Sequence, residues 1–168
     1  MTKKITSRIA FTGLLATLAT ITFLLENLFP PLILPGAKMG LSNIFILLAF
    51  IALGKVSAFA VLIVKAVLGS LFAGNISAII YSLPAGAIAL TLEVLLLTLV
   101  KRISIVCASV FGSVVNITVQ NVIFCIVTDT INYLSYLPYF VIIGVVSGII
   151  VGFSVYILVK RIPFNKFI

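Results

Sequence analysis

The sequence predicts an all-α polytopic membrane protein, a bundle of six transmembrane helices. Of its 168 residues 63% are hydrophobic and only 8% are charged, and the mean hydropathy is +1.42. An average soluble domain carries about 25% charged residues, because its surface must face water. A chain of this size also has too much surface to hide so many apolar side chains inside. The composition therefore excludes a soluble enzyme and a disordered chain.

Six apolar stretches indicate the transmembrane segments, since a bilayer core of about 30 Å needs about 20 apolar helical residues. The predicted helices cover residues 9–29, 39–53, 56–72, 76–100, 103–127 and 137–159. Pro84 lies inside the fourth segment, so either it kinks one helix or a short outer segment precedes a helix beginning at Ala85. Residues 1–168 are expected to form a single membrane domain.

The basic residues predict the orientation of the bundle. Nine of the eleven fall on the side of the N-terminus: Lys3, Lys4, Arg8, Lys55, Lys101, Arg102, Lys160, Arg161 and Lys166. Of the other two, Lys38 lies in a predicted outer loop and Lys65 lies within a helix. Because cytoplasmic loops carry the excess of Lys and Arg, both termini are expected in the cytoplasm. This distribution is unlike the basic stripe of a nucleic-acid site, so no nucleic-acid partner is expected.

Two charged side chains, Lys65 and Glu93, lie well inside predicted helices and are candidates for function, because a charge in the bilayer is costly. Their depths overlap, which allows a buried ion pair that locks the third and fourth helices. Alternatively, Lys65 points into a cavity and meets an anionic or carbonyl group of a ligand. Both interpretations stay open from the sequence. Glu26 is expected to reach the outer surface with its carboxylate.

Polar residues gather in the outer half of the predicted bundle. Asn116 and Gln120 are four residues apart and share one helix face. Such amides either bond a neighbouring helix or line a polar cavity, and the density here, with Ser113 and Asn121 nearby, favours the cavity. Asn43 and Ser82 lie at similar depth. We therefore predict a pocket that opens outward, with the Pro-rich loop 30–38 as its lid.

Small residues recur every fourth position on two helices. Thr12, Ala16 and Thr20 form one such ladder on the first helix, and a glycine ladder runs from Gly144 to Gly152 on the last. Small residues let helices approach closely in a membrane. Packing within the chain is favoured over a surface for a partner.

The segment LPGAKMGLSN, residues 34–43, resembles the signature of a small bacterial membrane family. That family goes by two names, Gx transporter and heptaprenyl diphosphate synthase component I. Further similarities are Lys65, Asn116 and Gln120, although Asn116 and Ile117 stand where the family usually has a His-Asn pair. The family in turn is similar to the substrate-binding (S) components of energy-coupling factor (ECF) transporters.

The resemblance implies a six-helix protein of the bacterial plasma membrane with an outward-facing ligand pocket. It implies ligand contacts at Lys65, Asn43, Asn116, Gln120, Lys38 and Ser82. Pro35 and Gly36 would belong to the lid, and Thr12, Ala16 and Thr20 would face a partner helix. The implied partners are a membrane scaffold subunit and two ATPases that use ATP, and a small-molecule ligand.

Catalysis and cofactor binding by this chain are not expected. It has no Walker motif and no His, and with only two Cys a zinc site is not indicated. A prenyl diphosphate synthase needs clustered oxygen ligands for Mg²⁺, but the three acidic residues lie more than thirty residues apart. The alternative function is a non-catalytic membrane subunit of a quinone or isoprenoid synthesis complex, or of a flavin-based extracellular electron transfer complex with a flavoprotein partner.

Overall fold

A computed structural model describes residues 2–28, 40–100 and 102–161, apart from the side chains of residues 2–4 and 131. The described chain is helical, which confirms the all-α class. Its elements in order are α1 (Thr2–Leu28), α2 (Asn43–Leu53), α3 (Lys55–Phe72), α4 (Ala78–Leu99), α5 (Ile105–Thr128), a short 3₁₀ helix η1 (Ile131–Tyr136) and α6 (Leu137–Arg161).

Five of the described helical segments are long and apolar enough to cross a membrane, which makes the protein a multi-pass membrane protein. The second helix is shorter than the predicted segment 39–53, because α2 begins at Asn43 and has 11 residues. At 1.5 Å per residue it rises about 16 Å, roughly half of a bilayer core. The turn before it requires Gly40, whose φ is +65°, a value that favours glycine.

Gly54 and Pro84 differ in whether they interrupt a helix. Gly54 ends α2 and begins α3 in a single-residue connection, and its φ of +96° favours glycine there. Pro84 lies inside α4, which continues from Ala78 to Leu99. Of the two interpretations of this segment, the structure therefore has the single helix.

The glycine ladder of α6 packs against the backbone of α5. A Cβ atom at Gly144 would lie 3.1 Å from the Val114 Cα, and one at Gly152 would lie 2.7 Å from the Val106 Cα. Between them, a Cβ at Gly148 would overlap the backbone of Val110. The two helices are antiparallel, since the partner numbers fall as the glycine numbers rise. Packing within the chain is thus confirmed for this ladder.

The small-residue ladder of α1 lies beside α3, and these two helices are parallel. Thr12 Oγ1 is 3.1 Å from Ser57 Oγ, and Ala16 and Thr20 are buried. Together with α3 the ladder lines an apolar groove of about 710 Å³. The three residues therefore face the groove and the chain's own interior.

The two ends of the bundle differ in charge and packing. At one end lie Arg8, Lys55, Arg102, Lys160 and Arg161, and the Arg8 guanidinium donates to the Leu53 carbonyl at 2.6 Å. The largest cluster of buried apolar side chains fills the half nearer this end, drawn from α1, α2, α3, α4 and α6. The interior of the other half is more polar, and it holds the site.

Candidate functional site

A polar cavity of about 60 Å³ lies in the half of the bundle away from the basic end. Five of the predicted ligand-binding residues line it: Asn43, Lys65, Ser82, Asn116 and Gln120. These residues come from four different helices, so the antiparallel packing brings them together. The sixth, Lys38, and the predicted lid residues Pro35 and Gly36 lie outside the described residues.

Lys65 holds its ammonium inside this cavity from the middle of α3. Its Nζ donates a hydrogen bond to Asn43 Oδ1 at 2.8 Å and lies 5.7 Å from the centroid of the Phe23 ring. An ammonium over an aromatic face is attracted by the ring quadrupole. Lys65 is half-buried, so its stem packs among apolar side chains while its charge reaches the polar space.

The alternative ion pair between Lys65 and Glu93 is wrong. In the described part of the chain, Glu93 makes neither a hydrogen bond nor an ion pair. Its carboxylate lies deeper in the bundle, against Gly112 of α5, where a Cβ would be 3.1 Å from Oε2. The Asn43 amide instead accepts from Lys65, because α2 begins at the depth of the Lys65 ammonium.

Glu26 does not reach the outer surface as the sequence suggested. Its Oε1 accepts a short hydrogen bond from the Leu41 backbone N–H, and its Oε2 is 3.4 Å from Ser42 Oγ. Leu41 and Ser42 directly precede α2, and a carboxylate near the N-terminus of a helix is favoured by the helix dipole. Glu26 therefore holds the start of α2 and lines the cavity beside Asn43.

Three of the four polar residues predicted to form a cavity wall on α5 do line the cavity. Ser113, Asn116 and Gln120 line the cavity, and within the described ranges their side chains make no hydrogen bond. Asn121 faces elsewhere: it is 6% exposed, and its Nδ2 donates to the Ile117 carbonyl at 2.7 Å. Asn121 is thus a packing residue, whereas its neighbours present unused donors and acceptors.

Two serines also line the cavity, Ser82 and Ser147. Ser82 Oγ of α4 is buried and has no hydrogen-bond partner among the described residues. Ser147 of α6 also lines the cavity and is 5% exposed. Sequence reasoning missed Ser147, although its place three residues after Gly144, on the small-residue face, is the signal that could have found it.

Two glycines in the lining of the cavity allow neighbouring side chains to pack closely. A Cβ at Gly86 would lie 2.7 Å from Leu62 Cδ1, and one at Gly144 would lie 3.1 Å from Ile117 Cγ2. The volume of about 60 Å³ exceeds the roughly 10–15 Å³ that one water needs. It is smaller than the roughly 300–1,000 Å³ of pockets for drug-sized ligands. The cavity as it stands therefore accommodates waters or a small group of a ligand.

Among the described residues, the cavity contains one ammonium and one carboxylate, from Lys65 and Glu26, and the other polar side chains that line it are neutral amides and hydroxyls. Such a set recognises a ligand by charge and hydrogen bonding. Over the residues that the structure describes, no three His, Cys, Asp or Glu side chains gather where they could hold a metal ion.

The chain was compared with known proteins. No curated protein and no solved structure matches it. The family model for heptaprenyl diphosphate synthase component I matches residues 15–158, a range that includes every described residue of the cavity. The chain belongs to the heptaprenyl diphosphate synthase component I family.

Proposed function

We propose that this chain is a substrate-binding membrane subunit, resembling an ECF S component, that captures a small vitamin or a cofactor or isoprenoid precursor for uptake. The observation that carries the proposal is the cavity around Lys65. There a half-buried ammonium and the unused hydrogen-bonding groups of Ser82, Asn116 and Gln120 converge in an otherwise apolar bundle. An ionisable group inside a membrane is costly and is therefore a candidate for function.

The charge asymmetry supports uptake from outside. Because Lys and Arg accumulate on the cytoplasmic side, the end with Arg8, Lys55 and Lys160 would face the cytoplasm. The cavity would then lie in the outer half of the bilayer. Both termini would be cytoplasmic, and the membrane would be the plasma membrane of a bacterium.

The ligand would be small and polar, with no large net charge. Lys65 can bind an anionic or carbonyl oxygen, and the amides of Asn116 and Gln120 can each donate and accept a hydrogen bond. Glu26 lines the same cavity, so a polyanion would meet a carboxylate as well as the ammonium. A molecule larger than the present volume of about 60 Å³ would require the helices that line the cavity to move apart.

The groove between α1 and α3 suits a partner helix of the membrane scaffold. Small side chains at Thr12, Ala16 and Thr20 would let that helix approach closely, and exposed Ile9 and Ile21 flank them. Two ATPases on the scaffold would supply the energy, since this chain has no nucleotide motif.

The family name favours a second candidate, a non-catalytic membrane subunit of an isoprenoid or quinone synthesis complex. Catalysis by this chain itself is not proposed. Glu26 and Glu93 line different cavities, and Asp129 caps the end of α5, so these three carboxylates do not form the cluster that Mg²⁺-diphosphate chemistry uses.

Purification of the tagged chain from its native membranes in mild detergent, followed by mass spectrometry of the bound proteins, distinguishes these functions. Recovery of a membrane scaffold protein with two ATPases would support the uptake function. Recovery of a prenyl synthase or a flavoprotein without ATPases would contradict it and favour a subunit of a synthesis or electron-transfer complex. The Lys65→Met chain serves as a control and should recover the same proteins, because the substitution leaves its partner surface unchanged.

A further inference from the structure

A second, smaller cavity lies below the first, towards the basic end of the bundle. Its volume is about 30 Å³, and its polar lining consists of Asn43, Glu93, Ser109, Ser113 and Asn116. Asn43, Ser113 and Asn116 also line the upper cavity, so these residues form the boundary between the two. Glu93 and Ser109 belong to the lower cavity alone, and the function proposed above does not use them.

Glu93 lies inside the bundle at a depth where a carboxylate without a positively charged partner costs free energy. It is six residues before Leu99, the last residue of α4, which corresponds to about 9 Å of helix. Gly112 lets the carboxylate approach α5, since a Cβ at that position would be 3.1 Å from both Cδ and Oε2 of Glu93. A carboxyl group at such a depth is stable either when it carries a proton or when its negative charge is paired with a cation.

The described cations do not provide that partner. Lys65 lines the upper cavity and bonds Asn43, and no Lys or Arg of the described segments lines the lower cavity. The other described basic side chains lie towards the end of the bundle, where Arg8, for example, donates to the Leu53 carbonyl. When Glu93 is ionised, its counter-charge would therefore have to come from a bound cation.

Three side chains that carry oxygen atoms line the lower cavity from α5, the helix that Glu93 approaches. Ser109, Ser113 and Asn116 follow one another at intervals of four and three residues, so they share one side of the helix. Ser109 is only 2% exposed, yet its Oγ has no hydrogen-bond partner among the described residues. A buried hydroxyl without a hydrogen-bond partner destabilises the folded protein, and a bound ligand can remove that cost by supplying the missing bond. Carboxylate, hydroxyl and amide oxygens are the ligands that hard cations prefer.

We infer that Glu93, Ser109, Ser113 and Asn116 form a binding site for one Na⁺ ion beneath the ligand cavity. The single carboxylate balances one positive charge, whereas a divalent ion would leave a net charge inside the membrane. The volume of about 30 Å³ exceeds the roughly 10–15 Å³ that one water requires, so it admits a small ion but no organic ammonium. The site shares Ser113 and Asn116 with the ligand cavity, but Glu93 and Ser109 belong to it alone, so it can be tested independently of the proposed capture of a ligand.

The test is binding of radioactive Na⁺ to the purified full-length chain in lipid nanodiscs at alkaline pH, with choline as the balancing cation. We expect saturable binding by the wild-type chain, and an affinity lower by about tenfold or more in Glu93→Gln and Ser109→Ala, because even outer-shell changes cost a metal site that much. Glu26→Gln is the matched control, since it removes the other intramembrane carboxylate from the upper cavity and should leave Na⁺ affinity unchanged.

Three outcomes would overturn the inference. The first is the absence of saturable Na⁺ binding by the wild-type chain, and the second is unchanged affinity in both Glu93→Gln and Ser109→Ala. The third is a wild-type chain whose thermal stability does not depend on Na⁺ and increases as the pH falls, whereas that of Glu93→Gln does not increase. In that case Glu93 would be held in the folded protein as a neutral acid. If Glu93→Gln does not fold, Ser109→Ala decides the question, since it removes only a buried hydroxyl that has no partner within the described chain.

Discussion

The Lys65 ammonium donates a hydrogen bond to the Asn43 side-chain oxygen at 2.8 Å and so joins the middle of α3 to the first residue of α2. The two residues are 22 positions apart and belong to helices connected only by Gly54. A neutral amide orients the ammonium without cancelling its charge. The same amide lies on the boundary with the lower cavity, so one residue contacts both polar spaces.

Replacing Lys65 with Met should abolish retention of a co-purified small molecule while the protein stays folded. Met keeps most of the stem that packs among apolar side chains but removes the charge and the bond to Asn43. The measurement is mass spectrometry of the small molecules extracted from chains purified from native membranes. Lys55→Met is the control, because Lys55 is exposed at the basic end of the bundle. Undiminished retention in Lys65→Met would contradict a ligand site at this residue.

Gln120→Leu should reduce ligand retention, whereas Asn121→Leu should not. Gln120 lines the cavity and makes no hydrogen bond with a described residue, while Asn121 is buried and bonds its own helix at Ile117. Loss of one uncharged hydrogen bond should weaken binding by about 0.5–1.5 kcal/mol. The extraction assay used for Lys65 measures this. Equal effects of the two substitutions would show that the polar wall of α5 is not specific to the cavity side.

Glu26→Ala should loosen the start of α2, because the Leu41 N–H and the Ser42 hydroxyl would lose their acceptor. Loss of a hydrogen bond to a charged group costs about 1.5–3 kcal/mol. Amide hydrogen exchange should accelerate at residues 41–44 and stay unchanged in α6. Glu26→Gln keeps an oxygen acceptor and should restore part of the protection. Exchange that is the same in Glu26→Ala as in the wild-type chain would mean that α2 does not depend on this carboxylate.

Gly148→Ala should destabilise the protein by about 1–3 kcal/mol, the usual range for overpacking. The added Cβ would overlap the Val110 backbone, which cannot move aside as a flexible side chain could. Gly13→Ala is the matched control, because a Cβ there would meet nothing within 4 Å. Thermal unfolding in detergent should show a lower midpoint for Gly148→Ala alone. A similar midpoint for both variants would indicate that α5 and α6 are packed less closely than described.

The proposed orientation predicts the labelling of cysteines in intact cells. In a chain whose Cys107 and Cys125 are replaced by Ser, Ala73→Cys should react with a membrane-impermeant thiol reagent, because Ala73 is exposed at the end opposite the basic residues. Arg161→Cys, exposed at the basic end, should react only after permeabilisation. The reverse pattern would place the cavity on the cytoplasmic side and exclude capture from outside.

Much of the candidate site could be predicted from residue types alone. Five of its residues are polar side chains in apolar segments, where placing them in the bilayer costs free energy. They are Asn43, Lys65, Ser82, Asn116 and Gln120. Residue types do not show which of these side chains share a space. Asn121 cannot be distinguished from its neighbours in the sequence, because an amide in an apolar segment has the same cost whether it faces a cavity or its own helix backbone.

The sequence by itself determined the class of the protein, because apolar segments in lipid must satisfy their backbone groups internally and therefore form helices. The distribution of Lys and Arg likewise distinguished the two ends of the bundle. Only the tertiary structure decided that Lys65 bonds Asn43, that Glu93 lies against Gly112, and that Glu26 holds the start of α2. Helices that are apolar on nearly every side carry little periodicity to show which face is inside. Their rotation and register are set by close contacts such as the glycines of α6 on α5, and those contacts join residues far apart in the chain.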